Sequence, residues 1–293
     1  MKNFITRLLL IILCFSVITA EAKRKKKPRF MPYYMVTEQV TDYAAAVTAT
    51  RDKLQQSDFK LVGEYDSIPD RTIFIVTSDA LLANAAKTEF GGYGAVIRVA
   101  VTKTDKEVQV SYVNPIYMSY AYQMQDISDV DKSLKALFGD SKPFGSKKGH
   151  SKRKLNGYHY MAFMPYFDDH DELGSFDSHK EALDAVHRNL SADNKGLAKI
   201  FEVAIPGKDE VLVGIAINDG EGADKNILEK IDTADNKHTA YLPYAVLVSG
   251  NKIYSLPGKF RIALAFPDLG MGQFMNIMDA PDGIVDSLKA VTK

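Results

Sequence analysis

The chain of 293 residues has one cysteine, no tryptophan and no net charge. The cysteine, Cys14, lies in an apolar run near the start of the chain, which we expect to be removed on export. A mature chain without cysteine excludes disulfide bonds, thiol nucleophiles and thiolate metal sites together. Because 37 basic residues balance 37 acidic ones, no overall field favours nucleic acid, and we expect no nucleic-acid partner.

The common catalytic motifs are also missing. The sequence has no Gly-x-Ser-x-Gly elbow, no phosphate-binding loop in a strand–helix context and no glycine fingerprint for a dinucleotide. Its six histidines show no metal-binding spacing. Asp168–Glu172 lacks the glycine and the alternation of a calcium-binding loop, so we interpret it as a solvated acidic loop. We therefore expect a protein that acts without catalysis, and the sequence indicates no cofactor.

The N-terminus has the pattern of an export signal. A basic start, an apolar run over residues 8–19 and an Ala-x-Ala site at 20–22 predict a signal peptide over 1–22, hence a periplasmic or extracellular protein. A basic segment follows at 23–29, and positive charge directly after a cleavage site resists translocation. The alternative is a retained N-terminal membrane anchor, which would be the only contact with a membrane.

The rest of the chain contains a similar pattern twice, over 30–138 and 157–293, joined by a linker at 139–156 that is rich in glycine, serine and lysine. In each half an apolar strand precedes a helix that starts at a capping residue, Asp42 or Ser178. Four strand-like runs and a closing helix follow, so each half is predicted as β-α-β(4)-α. Short turns between successive strands predict antiparallel sheets with helices on one face, an α+β fold.

Three segments of the second half have patterns of their own. The aromatic run over 158–167 and the apolar run over 253–265 predict strands. The charged segment 219–237 predicts a loop with one helical turn.

The first half, with its capped helix, F-x-L-V-G-E-Y over 59–65 and I-F-I-V-T-S-D over 73–79, resembles the bacterial domain-of-unknown-function family 302. The second half is similar through L-P-Y at 242–244 and F-R-I-A-L-A-F-P at 260–267. The resemblance implies a fold of the TATA-binding-protein-like type, present here as a tandem duplication. It implies no activity and no catalytic residue.

Two turns suggest where a ligand would bind. We align Asn114-Pro115 with Phe266-Pro267, and each is followed by a methionine, Met118 or Met271, and by aromatic residues. Such stretches favour a pocket in a cleft between the halves, or the seam where the halves pack. The candidate ligand-binding residues are Asn114, Tyr117, Met118, Tyr120, Tyr122, Arg261, Met271, Gln273 and Met275.

Two arginines of the chain bear on the charge of the ligand. Arg98 and Arg261 lie inside apolar runs, where an arginine faces outward or needs an acidic partner or an anionic ligand. We therefore predict a binding or interaction protein for a small apolar or anionic ligand or for a protein partner. A homo-oligomer is an open alternative.

Methionine supports a different hypothesis. Met271, Met275 and Met278 recur at helical spacing, and thioether sulfur is a soft ligand that selects Cu(I). A cysteine-free exported protein that handles copper would depend on methionine. The ordinary alternative is that these residues pack in the core.

Overall fold

The computed structural model describes residues 27–37, 42–191 and 196–293. The predicted signal peptide and Cys14 lie outside the described residues, so export stays a prediction. Within the described part of the chain, no helix has both the length and the apolar character needed to cross a bilayer.

The first half forms a sheet of six antiparallel strands in the order β2-β3-β4-β5-β1-β6. Its helices separate or follow these strands. The elements in chain order are β1 (Tyr33–Val36), α1 (Tyr43–Gln55), β2 (Lys60–Tyr65), β3 (Arg71–Thr77), α2 (Asp79–Ala85), β4 (Ile97–Lys103), β5 (Val108–Val113), α3 (Pro115–Ala121), α4 (Ser128–Phe138), β6 (Ser141–Phe144) and α5 (Lys152–Asn156).

The second half forms a sheet of five antiparallel strands in the order β7-β11-β10-β9-β8. Its elements are β7 (Asp171–Ser175), α6 (His179–Ser191), β8 (Leu197–Ala204), β9 (Glu210–Ile217), α7 (Asp224–Ile231), β10 (Tyr244–Ser249), β11 (Lys252–Ser255), α8 (Gly258–Ala265), α9 (Met271–Met275) and α10 (Ala280–Lys289).

The two sheets confirm the predicted α+β class with antiparallel pairing. The two sheets share an arrangement of neighbouring strands. Across the first sheet the order is β2-β3-β4-β5-β1, and across the second the corresponding order is β8-β9-β10-β11-β7, with the first strand of each half placed beside the last. Two details differ from β-α-β(4)-α. Helices α2 and α7 interrupt the run of four strands, and several helices follow the last of these strands in each half, where the prediction has one. That the halves are copies of one unit stays a prediction.

The predicted linker over 139–156 contains regular structure. Strand β6 pairs with β1 at the edge of the first sheet, from Tyr33 opposite Phe144 to Val36 opposite Ser141. Helix α5 starts after Ser151, whose hydroxyl accepts a hydrogen bond from the Lys154 backbone. The segment therefore connects the halves as part of the first sheet and not as a free tether.

Alternation along the strands gives the first sheet two different faces. Phe74 and Val76 of β3 pack with Leu54 of α1, Leu81 of α2 and Leu134 of α4. The side chains between them point the other way, toward the second half. Burying one such leucine stabilises the fold by about 1.5–3 kcal/mol.

The halves meet through reciprocal contacts. A 3₁₀ turn of the first half, Gly91–Gly94, lies on β9 and β10, and a 3₁₀ turn of the second half, Thr239–Tyr241, lies on β3, β4 and β5. The edge strands β2 and β8 also touch, where Gly63 lies against Ile200 and Phe201. We call this contact region the junction.

The prediction of a strand over 158–167 is wrong, since this segment is irregular. Its aromatic side chains bind the backbone of the region around α8 instead of pairing as a strand. The hydroxyl of Tyr158 donates to the Ala263 carbonyl at 2.6 Å, and that of Tyr160 donates to the Leu269 carbonyl at 2.6 Å. A short apolar run is compatible with a strand and with a buried irregular segment, so its hydrophobic periodicity does not distinguish between the two.

The predictions for 253–265 and 219–237 are also wrong. The strand ends at Ser255, and Pro257 precedes a helix, α8, which is buried on nearly every side and so lacks an amphipathic pattern. The charged segment contains α7, an eight-residue helix whose Ile227, Leu228 and Ile231 reach the core.

A glycine at the junction gives a test of this packing. A Cβ at Gly63 would lie 2.5 Å from the Ile200 carbonyl oxygen and 2.8 Å from the Phe201 Cβ. We expect Gly63→Ala to lower the free energy of unfolding, measured with urea, by about 1–3 kcal/mol because the backbones must move apart. Gly157→Ala is the control, since nothing lies within 4 Å of its Cβ. Equal losses in both variants would contradict the described contact.

Candidate functional site

The predicted ligand-binding residues do not form one pocket. Asn114, Tyr117, Tyr122 and Arg261 are buried, whereas Met271 and Met275 are exposed. The remaining three, Met118, Tyr120 and Gln273, are half-buried.

Asn114 and Tyr117 have structural tasks. The Asn114 side chain accepts hydrogen bonds from the backbone N–H groups of Ile116 and Tyr117 and so caps α3, and it donates to the Met31 carbonyl at 2.8 Å. The hydroxyl of Tyr117 donates to the Leu264 carbonyl at 3.0 Å. Both side chains are engaged within the fold, and their assignment to ligand binding stays a prediction.

The alignment of Met118 with Met271 is corrected. Met118 lies in α3, which follows β5 directly, whereas α8 separates β11 from Met271. The residues that follow β11 in the position of Asn114-Pro115 are Leu256-Pro257.

A cleft of about 680 Å³ does lie between the halves, and we call it the junction cleft. Of the predicted residues, Gln273 lines it, and its amide donates to the Thr233 hydroxyl at 3.3 Å. The apolar and charged side chains of its walls include Phe144 and Lys147 from the first half and His238, Phe266 and Asp268 from the second.

His238 is held rigidly at the cleft by a buried carboxylate. The Nδ1 and the backbone N–H of His238 both bond to Asp232 Oδ1, at 3.0 Å and 2.9 Å. Because a carboxylate only accepts, Nδ1 carries a proton, and Nε2 is the ring nitrogen that remains for a ligand. It faces Gly145, where an added Cβ would lie 3.2 Å away, and Phe266 stacks on the ring at 4.7 Å.

The charges around the cleft leave one cation without a partner. Asp268 accepts hydrogen bonds from the Lys147 backbone and from the Ser146 hydroxyl, and Asp235 pairs with Lys106 at 2.7 Å. Among the described residues, no carboxylate pairs with the ammonium group of Lys147, which is exposed. Among the described residues that line the cleft, the ammonium group of Lys147 therefore has no carboxylate partner, and the carboxylate of Asp268 has no cationic side chain as partner.

Sequence reasoning missed His238, and it treated Lys147 as part of a solvated linker. His238 follows a charged segment and has no motif spacing, so only the fold brings it to Asp232 and the cleft. A lysine in a run of basic residues carries no signal that separates it from its neighbour Lys148.

A second cavity, of about 130 Å³, is apolar, and we call it the methionine pocket. Met161, Met164 and Met271 line it together with Ile262 and Phe274. Met275 and Met278, the other two predicted copper ligands, do not line it and are exposed.

A third cavity, of about 730 Å³, is a groove with four carboxylates, Asp169, Asp171, Asp282 and Asp286, and with Lys259. Burial, and then the charge of Asp282, raises the pKa of Asp171. Within the described part of the chain, no group of three or more histidine, cysteine or acidic side chains is arranged to hold a metal ion.

Comparison of the chain with protein-family models, curated proteins and solved structures finds no match in any of the three. The resemblance to family 302 therefore stays a prediction.

A buried carboxylate also accepts a hydrogen bond across the junction. Asp224, at the start of α7, is fully buried and accepts hydrogen bonds from the Tyr65 hydroxyl at 2.8 Å and from the Ile217 backbone at 3.1 Å. Burial raises the pKa of Asp224 to about 7, although both hydrogen bonds oppose this shift. The folded protein therefore holds this proton more tightly than the unfolded chain does.

The raised pKa predicts how stability depends on pH. Between about pH 4 and 7 the folded state binds the proton and the unfolded state does not, so the contribution of Asp224 to stability falls as pH rises through this range. The loss amounts to about 4 kcal/mol at most. Asp224→Asn keeps an acceptor for Tyr65 but does not titrate, so its urea unfolding should lack this part of the pH dependence. Identical profiles for both proteins would contradict the prediction.

Proposed function

We propose that the protein binds a small organic anion with an apolar part in the junction cleft, and that it does so without catalysis. The ammonium group of Lys147 favours a ligand with an anionic group, because no carboxylate of the described residues pairs with it. Phe144 and Phe266 supply apolar walls for the rest of the ligand. A volume of about 680 Å³ lies within the range of about 300–1,000 Å³ for small-molecule sites.

The fixed imidazole of His238 is the observation that carries the proposal. Asp232 is buried and engages Nδ1, so the ring is oriented before any ligand arrives. Nε2 is then the ring nitrogen that remains to bond with a polar group of the ligand. A ring held in this way contributes to binding with little loss of side-chain entropy.

Export is part of the proposal and rests on the sequence of residues 1–22. A binding protein outside the cytoplasm would meet its ligand in solution, and the ligand would reach the cleft from the solvent.

We expect aromatic carboxylates such as benzoate to bind, and neutral benzamide to bind at least tenfold more weakly because it lacks the charge. Isothermal calorimetry on the full chain measures both affinities. Lys147→Gln should weaken benzoate binding tenfold or more and leave benzamide unchanged. The control is Lys148→Gln, which removes the same charge from the adjacent exposed residue that does not line the cleft.

Two results would refute the proposal. One is equal affinity for benzoate and benzamide, and the other is equal loss of affinity in Lys147→Gln and Lys148→Gln. His238→Gln gives a further comparison, since it removes the fixed ring while keeping a polar side chain at the cleft.

The methionine pocket supports copper handling as a second candidate function. Three thioether side chains, from Met161, Met164 and Met271, line one small cavity of low polarity, and such ligands select Cu(I). This set differs from Met271, Met275 and Met278, which share a helical spacing but not the cavity.

The two sets of methionines make different predictions. Met271→Leu should weaken Cu(I) binding tenfold or more in a competition assay with a chromophoric chelator, because leucine keeps the volume and removes the sulfur. Met275→Leu, at an exposed methionine outside the pocket, should have no effect. Unchanged affinity in Met271→Leu would end the copper hypothesis for this pocket.

A further inference from the structure

Two arginines are buried at the junction. Arg98 of β4, in the first half, and Arg261 of α8, in the second, are 5% and 6% exposed. Both line the same small cavity, together with Tyr93, Tyr122 and Tyr244. A buried charge is costly unless a charge of opposite sign accompanies it.

The hydrogen bonds of these arginines go to neutral groups. Arg261 donates to the Tyr122 hydroxyl at 3.1 Å and to the Tyr241 carbonyl at 2.5 Å. Arg98 donates to the Pro243 carbonyl at 3.3 Å, and its Nε has no partner. Among the described residues, no carboxylate forms an ion pair with either guanidinium group.

Three of the neighbouring tyrosines do not supply the missing charge. Burial raises the pKa of Tyr93, Tyr33 and Tyr244 far above the usual value, so their hydroxyls stay neutral. Burial, and then repulsion from Arg261, lowers the pKa of Arg98 to about 9, so this group remains charged at neutral pH. Two positive charges therefore lie together with no protein anion.

Three buried carboxylates of the second half have other partners, and one of them is Glu210, whose Oε1 accepts from the Ser249 hydroxyl at 3.3 Å and lies 3.5 Å from the Lys208 Nζ. Asp224 accepts from Tyr65 and from the Ile217 backbone, and Asp232 accepts from His238.

The cavity between the arginines has the size of a single small ion. Its volume is about 10 Å³, which is room for one species about as large as a water molecule. Two residues of its lining have a buried polar atom without a partner, namely the Tyr93 hydroxyl and the Arg98 Nε. Donors without acceptors favour an acceptor with negative charge.

We propose that a monatomic anion, chloride under physiological conditions, binds between Arg98 and Arg261 and closes the junction. The ion accepts hydrogen bonds from the Arg98 Nε and the Tyr93 hydroxyl and offsets the charge of both guanidinium groups. It is enclosed by both halves, so it binds the docked protein and not the unfolded chain. This site is independent of the junction cleft and of the ligand proposed there.

Linkage gives the first test. An ion that binds only the folded state stabilises it increasingly as its concentration rises. We expect the urea midpoint of the full chain to rise with each tenfold increase in chloride or bromide, at constant ionic strength, with gluconate as the replacing anion. Gluconate is too large for the cavity and should give no such rise. Lys147→Gln should keep the halide effect, which separates this site from the cleft.

A pair of variants identifies the site. Arg98→Met removes one buried charge and should abolish the difference between halide and gluconate. Arg51→Met is the matched control, because Arg51 is paired with Glu64 away from the cavity, and it should keep that difference. Persistence of the difference in Arg98→Met would overturn the proposal.

A crystal of the unaltered protein grown in bromide keeps the proposal testable if Arg98→Met does not fold. We expect an anomalous difference peak between Arg98 and Arg261. An uncharged water molecule at that position, with no anomalous signal, would refute the site.

Discussion

The structure depends on the pairing of polar groups that are buried where its two halves meet. Tyr65 bonds to Asp224 across the junction, Thr102 bonds to Thr239 at 2.8 Å, and Tyr117 bonds to the Leu264 carbonyl. Each bond is directional, and a buried group that loses its partner costs about 1–3 kcal/mol. A slide of one half over the other would break several at once, so the polar groups select one docked arrangement where apolar packing alone would tolerate several.

The same arrangement creates the proposed sites. Lys147 and Phe144 reach the junction cleft from the first half, and His238 and Phe266 reach it from the second. Likewise Arg98 and Arg261 come from different halves and meet only when these dock. Binding at either site therefore adds to the stability of the docked state, because a ligand that favours the folded protein shifts the equilibrium toward it.

The sequence predicts those parts of the fold that local chemistry determines. Asp42 and Ser178 do cap α1 and α6, and the hairpin of β4 and β5 follows its β-branched residues. It could not assign 158–167 or 253–265, where buried apolar runs fit strand and helix equally well. For the sites, an arginine inside an apolar run left an outward position, an acidic partner and an anionic ligand open, and the structure excludes the first, since Arg98 and Arg261 are both buried. His238 carried no such signal, because its pairing with Asp232 depends on the whole fold.

The buried polar bonds of the junction should make the two halves one cooperative unit. The chain contains no tryptophan, so Tyr34→Trp and Phe176→Trp each place a single fluorescent probe in one half. Urea unfolding followed by each probe, with circular dichroism on the same samples, measures whether the halves unfold together. We predict coincident midpoints for both probes, and an equal downward shift of both when Tyr65→Phe removes the bond to Asp224. Separate midpoints for the two halves, or a shift confined to one of them, would contradict a cooperative junction.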